Sequence, residues 1–119
     1  MDEAAVESVI EDYVTGVSTG DTALLARTFR DDARMWGYLG PDLVSDPIAE
    51  FFKVVEDSRK DMSWTEGFSH TVRSIEVNGK VAHGVLEERG YLGANFVNHF
   101  TLVNDGERWR IATKTFTTV

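Results

Sequence analysis

The chain contains no cysteine. Disulfides, thiolate nucleophiles and thiolate metal sites are therefore excluded, and a cytoplasmic location is expected. Proline is nearly missing, with 2 in 119 residues, and basic charge is scarce: 12 Lys and Arg stand against 20 Asp and Glu, for a net charge of -8. Binding a phosphate backbone needs a basic face, so nucleic acid is not an expected partner. The acidic excess is spread along the chain and reads as solubility rather than as an acidic tail. No apolar run approaches membrane-spanning length, and the opening Met-Asp-Glu-Ala lacks the basic and apolar regions of a signal peptide. The 3 histidines show no ligand spacing, so no metal is expected. There is no P-loop and no Gly-x-Ser-x-Gly elbow. Gly90-x-x-Gly93 is too short for a dinucleotide fingerprint, and no cofactor is expected.

What is present is an ordinary globular balance, 42% apolar, in a length that suits one domain over residues 1–119. The first half has helical period. Val6, Val9, Ile10, Tyr13, Val14 and Val17 make one apolar stripe, followed by Gly20-Asp21, where Asp21 can cap a short helix over residues 22–29. Tyr13 carries a hydroxyl into that stripe, and a buried phenol needs a polar partner. Residues 34–39 read as a strand and Gly40-Pro41-Asp42 as a turn. Asp46-Pro47 reads as an N-cap followed by proline at the first helical position, opening a helix with Ile48, Phe51, Phe52 and Val55 inward. Residues 57–66 read as a surface loop, with Trp64 and Phe68 able to fold back onto the core.

From His70 onward the pattern is strand, with reversals at Asn78-Gly79, Gly90 to Gly93 and Asp105-Gly106. Four strands in a meander, preceded by helices, predict an α+β fold with the helices on one face of an antiparallel sheet. A type I′ loop at Asn78-Gly79 would pair Val77 with Lys80, Ser74 with His83, Val72 with Val85 and His70 with Glu87. It places Val81, His83, Val85 and Glu87 on one face, taken as the inner one, and Ile75, Val77, Ala82 and Leu86 on the other. In the last hairpin Phe96, Asn98, Phe100, Leu102, Trp109, Ile111 and Thr113 share a face. Val97, His99, Thr101, Val103, Ala112 and Phe116 share the opposite one. A sheet apolar on both faces needs two covers. The helices supply one and a second copy of the chain the other, so a homodimer through the sheet face is expected.

The order Tyr13-Val14-x-Gly16, Gly20-Asp21, Phe29-x-Asp31-Asp32-Ala33 and Gly106-x-x-Trp109-x-Ile111-x-x-Lys114-x-Phe116 resembles the nuclear transport factor 2-like superfamily. It is most similar to the bacterial branch of ketosteroid isomerases, polyketide cyclases, scytalone dehydratases and lumazine-binding-like proteins. The resemblance covers nearly the whole chain. It implies a cystatin-like α+β cone, with N-terminal helices packed in a strongly curved antiparallel sheet, and says little of function because the fold hosts many. In the isomerase branch a first-helix tyrosine and a protonated aspartate form an oxyanion hole, and a second aspartate is the base. Tyr13 falls at the tyrosine position and Asn98 at the acid position, while Gly37 stands where the base would be.

The resemblance and the residues together predict a pocket for a small apolar or aromatic molecule bearing a carbonyl or hydroxyl group. Its chemistry would be isomerisation, dehydration or cyclisation by proton transfer without a cofactor. Tyr13 and Asn98 are either donors to that ligand or partners of each other in the core. His83 is either the group that moves the proton or a core histidine bonded to Ser74. His70 with Glu87 is either a base with its orienting carboxylate or an exposed ion pair. Asp31-Asp32 reads as turn capping rather than as a catalytic pair. Met35, Val85, Glu87, Phe100, Trp109 and Ile111 are expected to line the pocket. Binding without catalysis, or a filled cone serving as an interaction module, are the alternatives.

Overall fold

A computed structural model describes residues 2–119. Helix α1 (Asp2–Thr19) buries Val6, Ile10, Tyr13, Val14 and Val17, the face its apolar period dictates. Gly16 lets α2 (Thr22–Thr28) lie close: a Cβ there would come within 2.5 Å of the Leu25 side chain. Asp21 caps α2, its carboxylate accepting from the Leu24 N–H at 3.0 Å. Then come β1 (Phe29–Leu39), β2 (Asp42–Pro47), α3 (Ile48–Ser58), a 3-10 turn (Ser63–Gly67), β3 (Ser69–Asn78), β4 (Val81–Tyr91), β5 (Ala94–Asn104) and β6 (Trp109–Thr118).

The strands form one six-stranded sheet in the order β2-β1-β6-β5-β4-β3. All neighbours are antiparallel except β1 and β6, which run parallel. The sheet is therefore larger than the four-strand meander expected from the sequence. The turn at Gly40 closes a β1–β2 hairpin, and Asp46 sits in β2 opposite Met35 instead of capping a helix. Pro47 ends β2 and is itself the N-cap residue of α3, which has no side-chain cap and begins at Ile48, one position later than the sequence pattern implies. Irregular registers in β1, in β3, near Glu88 and in β6 bend the sheet around α1. Among the described residues, no helix is long and apolar enough to cross a membrane.

The β3–β4 hairpin differs in register from the expected one. Asn78 pairs with Val81, so the loop is Gly79-Lys80, with Gly79 at φ 57 and no positive φ at Asn78 or Lys80. Glycine first in a two-residue loop is the II′ pattern rather than I′. The shift is by two residues, an even number, so each strand keeps its two faces. Val81, His83, Val85 and Glu87 do share a face, but it is the outer one. Ala82, Gly84, Leu86 and Glu88 are the buried set. An irregularity at Arg73 then sets His70, not Ser74 or Glu87, beside the buried run, opposite Glu88.

A second irregularity has larger consequences. Leu102 pairs with Ile111 but Thr101 pairs with Thr113, so Ala112 is an extra residue in β6. Before it Trp109 and Ile111 point inward. After it the alternation is reversed, and Lys114 and Phe116 point inward. Phe116 thus belongs to the core and not to the outer face.

Candidate functional site

A cavity of about 530 Å³ opens between α3, β1, β2 and the inner ends of β4, β5 and β6. Its floor is Met35, Phe51, Tyr91, Phe96 and Phe116, all nearly inaccessible, together with Glu88 and Lys114. Its mouth carries exposed Leu39, Val54 and Leu92 beside Asp46 and Glu50. Two charged groups set in an apolar cup are costly unless they are hydrogen-bonded.

They are bonded through an amide. Lys114 Nζ donates to Asn98 Oδ1 at 2.6 Å, and Asn98 Nδ2 donates to Glu88 Oε1 at 2.6 Å. Asn98 is fully buried and has no face on the cavity. Three aromatic rings surround the ammonium, with centroids 4.2 Å (Phe116), 4.8 Å (Phe51) and 5.7 Å (Tyr13) away. Among the described residues Glu88 Oε2, the Tyr91 hydroxyl and the Tyr13 hydroxyl have no hydrogen-bond partner. Trp64 Nε1 and Arg110 Nε, which do not line the cavity, are unpartnered as well, so each such atom needs its own account.

The electrostatics follow from the burial. Desolvation raises the Glu88 carboxyl above its ordinary range, opposed by the charge of Lys114, the bond from Asn98 and the charge of His70. Desolvation pushes Lys114 down to about 8, with Glu88 pulling the other way. The Tyr13 and Tyr91 phenols are both raised, first by burial and then by the nearby Glu88 charge, so both stay protonated donors at neutral pH.

Of the residues expected in the pocket, Met35 lines the cavity. Tyr13 lies one layer behind it, stacked on Phe51 at 5.9 Å and edge-on to Phe100 at 4.9 Å. Phe100 and Ile111 are fully buried in the packing around α1 and do not reach the cavity wall. Trp109 lies in a separate depression beside α1 and α2, with Asp12, Leu24 and Arg27. His83, Val85 and Glu87 are on the outer face. His83 Nε2 lies 3.4 Å from His99 Nδ1, and Glu87 pairs with Arg73 and Arg89. His70 bonds Glu11 at 2.7 Å, not Glu87. Asp32 pairs with Arg30 within β1 at 2.8 Å. At Gly37 a Cβ would meet the Phe116 ring and backbone oxygen at 2.5 Å, so no carboxylate could stand there. Among the described residues no group of three or more His, Asp or Glu is arranged to hold a metal ion.

Sequence reasoning missed Glu88 and gave Lys114 no role. Alternation puts Glu88 on the face of Ala82 and Leu86, which the sequence pattern assigns to the outside and only the structure shows to be buried. For Lys114, the signal was its place two residues before Phe116, an apolar residue at strand spacing.

A family model described as "Putative lumazine-binding" matches residues 1–117. The chain belongs to that family. No curated protein matches. Among solved structures, a nuclear transport factor 2-like protein of unknown function from Methylobacillus flagellatus is similar with a TM-score of 0.88 at 22% identity, covering 99% of this chain and 92% of that one. One from Silicibacter pomeroyi gives 0.86 at 24% identity, covering 98% and 94%. A ketosteroid isomerase-like protein from Erwinia carotovora gives 0.73 at 15% identity, covering 100% and 97%. At these identities the likeness to the solved structures establishes a shared fold: this lumazine-binding-family chain is a cystatin-like α+β cone.

Proposed function

We propose that the cavity binds a small, mostly apolar, uncharged molecule bearing a carbonyl group, and that Glu88 moves a proton beside that carbonyl. The observation that carries this reading is the placement of Glu88 and Lys114 on one apolar cavity, joined through Asn98 instead of paired directly. Each keeps capacity for a ligand: Glu88 Oε2 has no partner, and the Lys114 ammonium has donors left beyond the one given to Asn98. Asp46 and Glu50 at the mouth disfavour an anionic ligand. The family's description supports a small-molecule ligand.

The step balances without a cofactor. A proton passes from the carbon next to the carbonyl to Glu88, whose raised basicity suits it to the task. The electron pair moves to the carbonyl oxygen, where Lys114 and the Tyr91 hydroxyl stabilise the enolate. Asn98 positions both charged groups, and Tyr13 supports the floor under Phe51. The sequence leaves His83 either as the proton carrier or as a core histidine; in this reading Glu88 carries the proton, because it lines the cavity and His83 lies on the outer face.

The test is exchange of the α-hydrogens of 2-tetralone in deuterium oxide, followed by proton NMR. The protein should accelerate exchange, and Glu88→Gln should lose about a hundredfold of that acceleration or more. Calorimetric binding of 2-tetralone without accelerated exchange would favour the alternative, a binding protein without catalysis. Neither binding nor exchange, with no small molecule released from purified protein in native mass spectrometry, would overturn the pocket reading.

We also propose that two copies pair through the outer sheet face. Val81 is 55% exposed there, with Val85, Val97 and Val103 half-buried on the same side. These valines, interspersed with His83, Thr101 and His99, leave a partly apolar face without a cover in the single chain, which supports an interaction surface. Light scattering at micromolar concentration should give twice the mass of one chain, and a single-chain mass would refute the pairing.

A further inference from the structure

We propose that Lys114 acts as a nucleophile, its amine condensing with an apolar aldehyde or ketone held in the cavity to form an imine. This rests on the reading of the cavity as a carbonyl site and names what the site does with the carbonyl.

Four observations carry it. Lys114 is 4% exposed, whereas Lys53, Lys60 and Lys80 all lie open to solvent. No carboxylate touches its ammonium, and its polar partner among the described residues is the neutral oxygen of Asn98 at 2.6 Å. The bond that Lys114 donates to Asn98 and the flanking Phe51 and Phe116 rings hold the amine at the cavity floor. Glu88 lines the same cavity with one carboxyl oxygen unbonded, and so supplies a proton carrier.

The acidity agrees with this geometry. Burial brings Lys114 down to about 8 against the opposing charge of Glu88. About a tenth of the amine is then neutral at pH 7, against about one part in three thousand for an exposed lysine. Desolvated lysines in apolar pockets are the ones that form Schiff bases.

The reaction closes on itself. The nitrogen lone pair attacks the carbonyl carbon, forming a C–N bond while the C=O π pair moves to oxygen. One amine proton transfers to that oxygen, giving a carbinolamine. Glu88 then protonates the hydroxyl, the C–O bond breaks and water leaves. The remaining N–H proton returns to Glu88, leaving a neutral imine. No oxidant, metal or cofactor is consumed.

The experiment treats the protein at pH 7.5 with 2-naphthaldehyde and sodium cyanoborohydride, which reduces any imine to a stable secondary amine. Intact mass and peptide mapping locate the adduct, whose added mass is that of the probe less one oxygen. The expected result is an adduct on Lys114 at least tenfold faster than on Lys53, Lys60 or Lys80. It should be suppressed by excess 2-naphthalenemethanol, which fits the cavity but cannot condense, and lost in Lys114→Arg. Equal labelling of the four lysines, or labelling of Lys114 that the alcohol does not suppress, overturns the proposal. Should Lys114→Arg not fold, protection by the alcohol in the unaltered protein decides. Fluorescence titration with the alcohol separates the two levels of the argument. Binding without a Lys114 adduct refutes the imine and leaves the carbonyl pocket standing; absence of both refutes both.

Discussion

Lys114 reaches the Asn98 amide oxygen at 2.6 Å, so the buried cation of the cone is held by a neutral acceptor. A direct carboxylate contact would tie up both charges. The amide spacer keeps Glu88 and Lys114 in one cavity while leaving each with unused hydrogen-bonding capacity.

Removing the spacer should be expensive. Asn98→Ala strips a partner from a buried ammonium and from a buried carboxyl at once, and about 3 kcal/mol of stability should be lost. Urea denaturation followed by circular dichroism measures it. Replacing Glu88, Asn98 and Lys114 together with Leu, Leu and Met should recover most of that loss, because the two buried charges left without a partner are then removed together.

The pH dependence has a defined sign. Lys114 titrates at about 8 in the folded chain and at an ordinary 10.5 when unfolded. Between those values the unfolded chain binds the extra proton, so stability should rise with pH from about 8 upward, by as much as about 3 kcal/mol across the full window. Below 8 this contribution is level. Glu88 acts oppositely and lower down: its raised folded pKa makes stability fall as pH rises above the ordinary carboxylate range. Urea midpoints taken from pH 7.5 to 9.0, where unfolded tyrosines are still largely protonated, should climb in the unaltered protein and stay nearly flat in Lys114→Met.

Gly37 lies flat on its β6 neighbour. Gly37→Ala drives a methyl to 2.5 Å from both the Phe116 ring and its backbone oxygen. A destabilisation of about 1–3 kcal/mol is expected. Phe116→Ala in the same chain should relieve the clash only in part, because the carbonyl stays where it is. A thermal melt of the single and double variants would show full relief if the ring alone were responsible.

His83 provides the contrasting case. It faces outward and meets His99, so His83→Ala should leave 2-tetralone exchange unchanged and shift stability by no more than about 0.5 kcal/mol in the isolated chain. A tenfold fall in exchange would return the histidine to the mechanism.

The helices were legible because an amphipathic period reports directly which side is buried. Val6, Ile10, Tyr13 and Val17 are completely inaccessible, as their spacing implied. The strands were legible as strands, and even their two faces sorted correctly in β4. Which face was inner was not legible. Val81, Val85, Ala82 and Leu86 are all apolar, so hydrophobicity could not choose between them. β2 was hidden because Asp46-Pro47 satisfies a helix-start pattern equally well, and only pairing with Met35 makes it a strand end.

The sequence by itself determined an acidic α+β chain without cysteine, with Tyr13 turned into the core. Those properties follow from composition and local period, which need no partner to act. The tertiary structure alone decided the chemistry of the cavity. The extra residue at Ala112 reverses the alternation of β6 and swings Lys114 inward, and pairing across β4 and β5 sets Glu88 and Asn98 beside it. A strand's inner face depends on the register it shares with its neighbours, and one inserted residue exchanges the two faces.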